Sequence, residues 1–452
     1  MFKRFIFYVL TFSCFSCFAA AQSQNMNLIR DQETEDTLRS YVIPMFEVAG
    51  LNPDTLKLHL LADNNINAFA VKGSNIFINT GLIMNSPRVG MTLGVLAHET
   101  GHIAGGHLVR LYDNMQIAQR NSLISTVLGG VAAIATGRPD VGMAVMMGGS
   151  NAAMQGHLSY RRSEENAADE QATKILSKMG YSVKGFVDVM YILQQQEKIA
   201  MSQDYYSYLR THPLSEERIS FLENTLRKES VLTDDAHKRA ELSYQRIRAK
   251  LIAFLSSSPR LVLKAYPQSD MRTASRYARA IAHFRLNELS EALKIMDELL
   301  KDNPNDAYFH ELKGQMLYEN GKVNEALSPY KEAVRLAPDA ALIRLSLASV
   351  QIESNDKKEV AEGIKNLEKI LITEKDNPSV WRLLAVAAGK TEDTALTAYA
   401  MAEYTFSMGD YKGAAKHIEK AQKLIPKDSP KYIRLEDIKQ EAERSLAKEP
   451  QF

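Results

Sequence analysis

The chain has 452 residues, 45% hydrophobic and 24% charged, enough for a buried core in each of two or three domains. Its 55 basic and 54 acidic side chains leave a formal net charge of +1. So even a balance excludes nucleic acid as an electrostatically captured partner.

At the start, Lys3 and Arg4 precede an apolar run from Phe5 to Phe18 and the small residues Ala19-Ala20-Ala21. The run is too short to span a bilayer, and the pattern predicts a secretory signal over 1–21, cleaved after Ala21. Loss of Lys3 and Arg4 takes the net charge from +1 to −1. The two cysteines, Cys14 and Cys17, leave with it, so the mature chain has no disulfide and no cysteine metal site. Neither cysteine has a leucine three residues before it, which argues against lipid attachment there.

Leu28 to Val48 mixes charge with apolar residues at helical spacing and predicts an amphipathic helix, broken or kinked at Pro44. Leu56–Leu61, Asn67–Val71 and Asn75–Ile78 are short strand-like runs separated by turn residues, and predict a small antiparallel sheet. An edge strand at Asn67-Ala68-Phe69-Ala70 would let a substrate peptide add as a further strand.

The run Leu93 to Leu108 holds His98-Glu99-Thr100-Gly101-His102. On a helix, His98 and His102 stand one turn apart on one face and can share a metal ion. Zinc accepts two neutral imidazoles, and Glu99 between them is placed to take a proton from a water that the metal activates. So short a motif recurs by chance. What lifts this one is the apolar run Val89 to Ala97 before it, as expected of a helix buried behind an active site. Gly94, Gly101, Gly105 and Gly106 weaken the helix and predict close packing against another backbone. His107, five residues past His102, points about 140° away around a helix, a poor co-ligand with an expected structural role.

Ser122–Thr136 and Val141–Met154, rich in small and apolar residues and split by Gly137-Arg138-Pro139-Asp140, predict a helical hairpin buried beside the site or touching a membrane surface. Each run is shorter than the roughly 20 residues of a membrane span. Glu164-Glu165-Asn166-Ala167-Ala168-Asp169 then offers two adjacent carboxylates, between which spacing does not choose. Beyond Tyr205–Leu209 come Thr211-His212-Pro213-Leu214 and Arg218. His157 reads as a hydrogen-bonding or surface residue, and His59, His237, His283, His310 and His417 have no ligand spacing.

Ser256 to Ser258 with Pro259, and Tyr266-Pro267-Gln268-Ser269, predict a connection over 256–270. Helical, alanine-rich sequence follows over 271–446. Pro304 and Pro338 are 34 residues apart, the tetratricopeptide period. Aligned on Pro338, the residues Gly314, Leu317, Ala326, Tyr330 and Ala333 fall where that repeat alternates small and bulky side chains. Ala280, Ala292 and Met296 do so ahead of Pro304, and Ala402, Ala414, Ile418 and Ala421 ahead of Pro426. Pro378 is 40 residues after Pro338 and 48 before Pro426, so the middle repeats must carry insertions. Stacked pairs of this kind build a concave surface suited to an extended peptide or a partner's helix.

Asn67-Ala68-Phe69-Ala70, the turn at Gly73, Asn79-Thr80-Gly81-Leu82 and the His98 to His102 motif together resemble the HtpX and CAAX-prenyl-protease family of zinc peptidases, of the gluzincin class. The fold the resemblance implies is mainly α, a gluzincin-type peptidase domain over 22–255 followed by an α-solenoid of tetratricopeptide repeats. By the family's Glu-x-x-Ala-Asp pattern, Glu165 is the third ligand of one Zn2+ per chain, and Asp169 orients a ligand histidine. The family's His-Pro segment and arginine match His212 and Arg218. In soluble periplasmic members this histidine can lie near the zinc, which would make His212 a fourth, regulatory ligand.

The repeat-bearing periplasmic branch of the family implies a periplasmic peptidase acting on unfolded or misassembled outer-membrane proteins. Its repeats would engage the β-barrel assembly machinery, with peripheral membrane contact as a further option. The competing class is a chaperone or assembly scaffold whose zinc site is structural or autoinhibited.

Overall fold

The structure is a computed structural model that describes residues 27–107, 110, 161–199, 212–229 and 235–448. The expected signal peptide, the small-residue hairpin, His157 and Tyr205–Leu209 lie outside these residues. Two compact units divide the chain, Met1–Ser257 and Ser258–Phe452. No helix among the described residues is long and apolar enough to cross a membrane.

In the first unit the expected helix from Leu28 begins later. Leu28–Ile29 is a short strand, β1, and helix α1 runs Gln32–Val48. Asp31 sets that start, because its side chain accepts from Thr34 N at 2.8 Å and acidic residues follow in the first turn. Leu38, Tyr41, Val42, Met45 and Phe46 form the buried face. Pro44 does not end the helix, which continues to Val48. Only the bond to the Ser40 carbonyl is forgone, and Ser40 is on the exposed side.

Strands β2 (Lys57–Leu61), β3 (Ala68–Val71) and β4 (Asn75–Asn79) join β1 in the order β1-β2-β4-β3. The sheet is mixed rather than antiparallel: β2 and β4 run parallel, with Leu60 opposite Ile78, while the outer pairings are antiparallel. Alternating side chains identify strands but not their neighbours. After the left-handed turn at Gly73 and Ser74, β4 returns between β2 and β3 and so takes the direction of β2. That leaves β3 at the sheet edge among the described residues.

Below the sheet, α3 (Val89–Ala104) crosses the core with almost every residue buried. It packs on α4, a helix over 161–178, and on α5 (Lys184–Ile199). Both contacts are at backbone distance, as the glycines predict. A Cβ on Gly94 would stand 2.7 Å from the Phe186 Cα, and one on Gly101 2.8 Å from the Ala168 carbonyl oxygen. The helix stops at Ala104 rather than Leu108, because Gly105 caps it and Gly106 takes φ +65°. After α2 (Thr80–Asn85), the Ile83 and Ser86 carbonyls meet the Tyr244 hydroxyl of α7 (Asp235–Leu255) at 3.1 and 2.9 Å; that hydroxyl also bonds Thr92 of α3.

The second unit is helical throughout its described elements. Part of the stretch read as a connection is a short helix, α8 (Pro259–Ala265). Antiparallel pairs follow: α9 (Thr273–Arg285) with α10 (Leu289–Asp302), α11 (Ala307–Glu319) with α12 (Val323–Leu336), and α13 (Ala341–Glu353) with α14 (Lys357–Thr373). Their first helices begin 34 residues apart, at Thr273, Ala307 and Ala341. Gly314 lets the Tyr330 ring lie against α11, since a Cβ there would come within 2.7 Å of it.

The irregular spacing has two sources. Helix α14 has 17 residues where α10 and α12 have 14. Pro378 opens α15 (Pro378–Lys390), a favoured place for proline, and so is no counterpart of Pro338, which lies three residues ahead of its helix. Helix α16 (Thr394–Ser407) then packs on α15 and equally on α17 (Tyr411–Gln422), and also meets α18 (Pro430–Lys448).

Gly94→Val tests the close approach of α3 and α5. The added side chain overpacks the interface and should destabilise the first unit by about 1–3 kcal/mol, read as a lower thermal midpoint than that of the wild type.

Candidate metal centre

Three segments of the first unit bring the site together. Helix α3 presents His98, Glu99 and His102, and α4 presents Glu165 and Asp169 one turn apart. The third segment contributes His212 and then Arg218 in the first turn of α6 (Glu216–Lys228), a helix capped by the Ser215 hydroxyl on Arg218 N at 3.2 Å. Every one of these side chains is buried.

His98 Nε2 lies 3.1 Å from His102 Nε2, 3.3 Å from Glu165 Oε2 and 3.3 Å from His212 Nδ1. Glu165 Oε1 is 3.5 Å from His102 Nε2 and 3.2 Å from His212 Nδ1. Each of the four residues offers one ligand atom, all within 4.8 Å of one another. Four N and O ligands about 2.0–2.1 Å from a tetrahedral zinc are about 3.3–3.4 Å apart, so the spacing fits that ion. Charge fits as well. With neutral imidazoles, the carboxylates of Glu99, Glu165 and Asp169 against the Arg218 guanidinium leave, among the described residues of the group, two negative charges in a buried space, which a dication balances.

A second set of contacts holds the first. His98 Nδ1 is 2.8 Å from Asp169 Oδ1. Arg218 donates to both Asp169 oxygens, at 2.6 and 2.9 Å, lies 3.0 Å from Glu165 Oε2 through Nη1, and donates from the same nitrogen to the Pro213 carbonyl at 2.9 Å. Burial alone would push the Asp169 carboxyl up, but Arg218 and then His98 hold it below the usual range. Burial likewise opposes the ionised Glu165, and the imidazoles of His102, His212 and His98 outweigh it. His98 is drawn down by burial yet held up at about 9 by Asp169 and Glu165, whereas burial leaves His102 and His212 below the ordinary range.

Glu99 is anchored from the sheet. Its Oε2 accepts from Ala70 N of the edge strand at 2.9 Å, and its Oε1 is 3.4 Å from His212 Nε2. Burial pushes this carboxyl above its usual range, against the pull of His102 and His98. Of the four edge-strand residues, Ala70 makes this contact. Phe69 stacks on Phe77 at 5.2 Å, Ala68 pairs with Ile78, and the Asn67 carbonyl accepts from Asn79 N.

Glu164 turns out of the group toward Arg110, 3.5 Å away, so Glu165 is the carboxylate that faces the histidines. His59 bonds Asn75 and His310 the Pro304 carbonyl, each at 2.9 Å, and neither joins the group. His107 stays outside the metal group, as expected of a poor co-ligand, but it does not point away from it. Because α3 ends at Ala104, the chain turns back and His107 Nδ1 comes 2.9 Å from His102 Nδ1. Burial and then His102 pull His107 down to about 4, a neutral ring at pH 7. Gly105-Gly106, read as a helix stop, was the available signal.

Residues 32–226 match the sequence profile of peptidase family M48. The chain carries an M48 peptidase domain. Residues 260–401 match the TPR domain of cytochrome c-type biogenesis protein H, which makes the second unit TPR-like. Over 332 residues the chain is 26% identical to the beta-barrel assembly-enhancing protease of Escherichia coli (strain K12), covering 73% of this chain and 66% of that protein. The Yersinia pestis protein of the same name is 24% identical over 75% of this chain and 69% of that one. The putative Vibrio cholerae counterpart is 23% identical over 81% and 75%. The aligned part thus spans just under two thirds of the length of the Escherichia coli relative. A solved TPR domain, that of P58(IPK), is 13% identical over 73% of this chain and 99% of its own, with a TM-score of 0.19, too low to bear on the fold.

Within the M48 domain, Arg218→Met removes the guanidinium that lies against Asp169 and Glu165. Zinc affinity, followed by competition with a chromophoric chelator, should fall about ten- to a hundredfold. Circular dichroism establishes whether the variant keeps its helices.

Proposed function

We propose that the chain is a zinc-dependent endopeptidase in which His98, His102 and Glu165 hold the metal and Glu99 is the general base. The observation that carries this reading is the convergence of those donor atoms at about the separations zinc requires, with the Glu99 carboxylate against the same group. A bound zinc supplies a Lewis acid for the peptide carbonyl and for the attacking water. Glu99, fixed by Ala70 N, removes the proton from that water and delivers it to the leaving nitrogen. Asp169 and Arg218 keep His98 and Glu165 in place, and the edge strand β3 takes the substrate main chain as an added strand.

His212 is the regulatory ligand in this reading. Its Nδ1 faces His98 and Glu165 and its Nε2 faces Glu99, so at rest the ring stands where water must enter and covers the base. A fourth protein ligand closes a zinc site in the manner of structural sites, which supports a resting enzyme that acts when His212 withdraws. The names of the relatives support outer-membrane β-barrel assembly as the setting. We therefore place the enzyme in the periplasm, exported by the segment 1–21 and acting on misfolded or stalled outer-membrane proteins. The TPR unit docks on the assembly machinery. The closed His212 position also favours a second role as an assembly scaffold between catalytic events.

Two variants separate these roles. Glu99→Gln should keep its zinc by metal analysis and lose cleavage of an unfolded outer-membrane protein by about 10²–10⁴-fold; cleavage near the wild-type rate would remove Glu99 from the mechanism. His212→Ala should cleave the same substrate faster than wild type, and equal or slower cleavage would refute the resting-state role. Full rescue of a deletion strain by Glu99→Gln would assign the cellular function to the scaffold.

A further inference from the structure

Zinc-binding histidines donate their second ring N–H to a partner that fixes the tautomer and the ring plane. His98 has Asp169 in that place, whereas among the described residues it is the His107 ring that meets His102 Nδ1. Resting on the zinc-site reading above, we propose that His107 is the positioning residue of His102, an imidazole standing where the other ligand histidine has a carboxylate.

Three features of the chain meet at this contact. The two Nδ1 atoms are 2.9 Å apart, with ring centroids at 4.9 Å and planes at 82°. His102 turns its Nε2 to the metal group, so its proton sits on Nδ1 and His107 Nδ1 accepts it. His107 then carries its own proton on Nε2. The ring lies folded over Gly105, where a Cβ would stand 2.3 Å from His107 Nε2, and Gly106 makes the return with φ +65°. The His-x-x-Gly-Gly-His segment from His102 to His107 is therefore one device: it ends the helix and brings a second imidazole back on the first. An imidazole lends His102 less electron density than the Asp169 carboxylate lends His98, which makes His102 the weaker of the two imidazole ligands.

The test uses the full mature chain with Zn2+ alone as probe, titrated against a chromophoric chelator. His107→Phe keeps a buried ring without the acceptor, and zinc affinity should drop about ten- to a hundredfold with the thermal midpoint of the zinc-free protein little changed. Gly105→Ala, which displaces the ring and leaves His107 in the sequence, should give the same loss; it decides the matter if His107→Phe does not fold. In ¹⁵N-detected NMR, wild-type His102 should show the Nδ1–H tautomer and His107 the Nε2–H tautomer. Unchanged zinc affinity in both variants, or His107 protonated on Nδ1, would overturn the inference. His98→Ala tests the site itself: if that variant binds zinc as tightly as wild type, the metal-site reading fails, and the His107 inference with it.

Discussion

One guanidinium decides whether this site can exist. Glu165 and Asp169 are buried one turn apart on the same helix, and two carboxylates so placed repel each other and resist ionisation. Arg218 lies against both and is itself buried, so its charge acts at low dielectric on each. Ionised, Asp169 holds His98 by Nδ1 and Glu165 faces the three imidazoles. The helices of the M48 domain supply positions; the arginine supplies the electrostatic condition under which those positions are occupied by ionised carboxylates.

Backbone proximity is the second condition. Glu165 reaches the two histidines of α3 because α4 touches α3 at Gly101, and α5 closes on the other side at Gly94. Larger residues at either place would push the helices apart and draw Glu165 away from the histidines of α3. The same glycines weaken the isolated helix, which tertiary burial offsets here.

Much of this was legible in the sequence. The histidine pair and Glu99 follow from helical spacing, and the choice of Glu165 over Glu164 came only from a family resemblance, since adjacent residues differ by a rotation that spacing does not resolve. Strand positions were readable and strand order was not, because alternation reports which residues face a core and says nothing of which strand lies beside which. Helix ends were misplaced where a cap decided them: Asp31 at the start of α1, and Gly105-Gly106 at the end of α3. The second error hid His107, which a continued helix would have pointed away from the site. In the TPR unit the period was clear over α9 to α13, and Pro378 misled because proline suits a helix start as well as the turn before one.

The bond from Ala70 to Glu99 comes from the main chain. Every amino acid except proline carries that N–H, so the orientation of Glu99 is indifferent to the identity of residue 70 beyond the room for its buried side chain. In the proposed mechanism, sequence drift on this strand can thus alter which peptides lie beside it without displacing Glu99. The proposed general base is insulated from the very positions at which specificity would evolve.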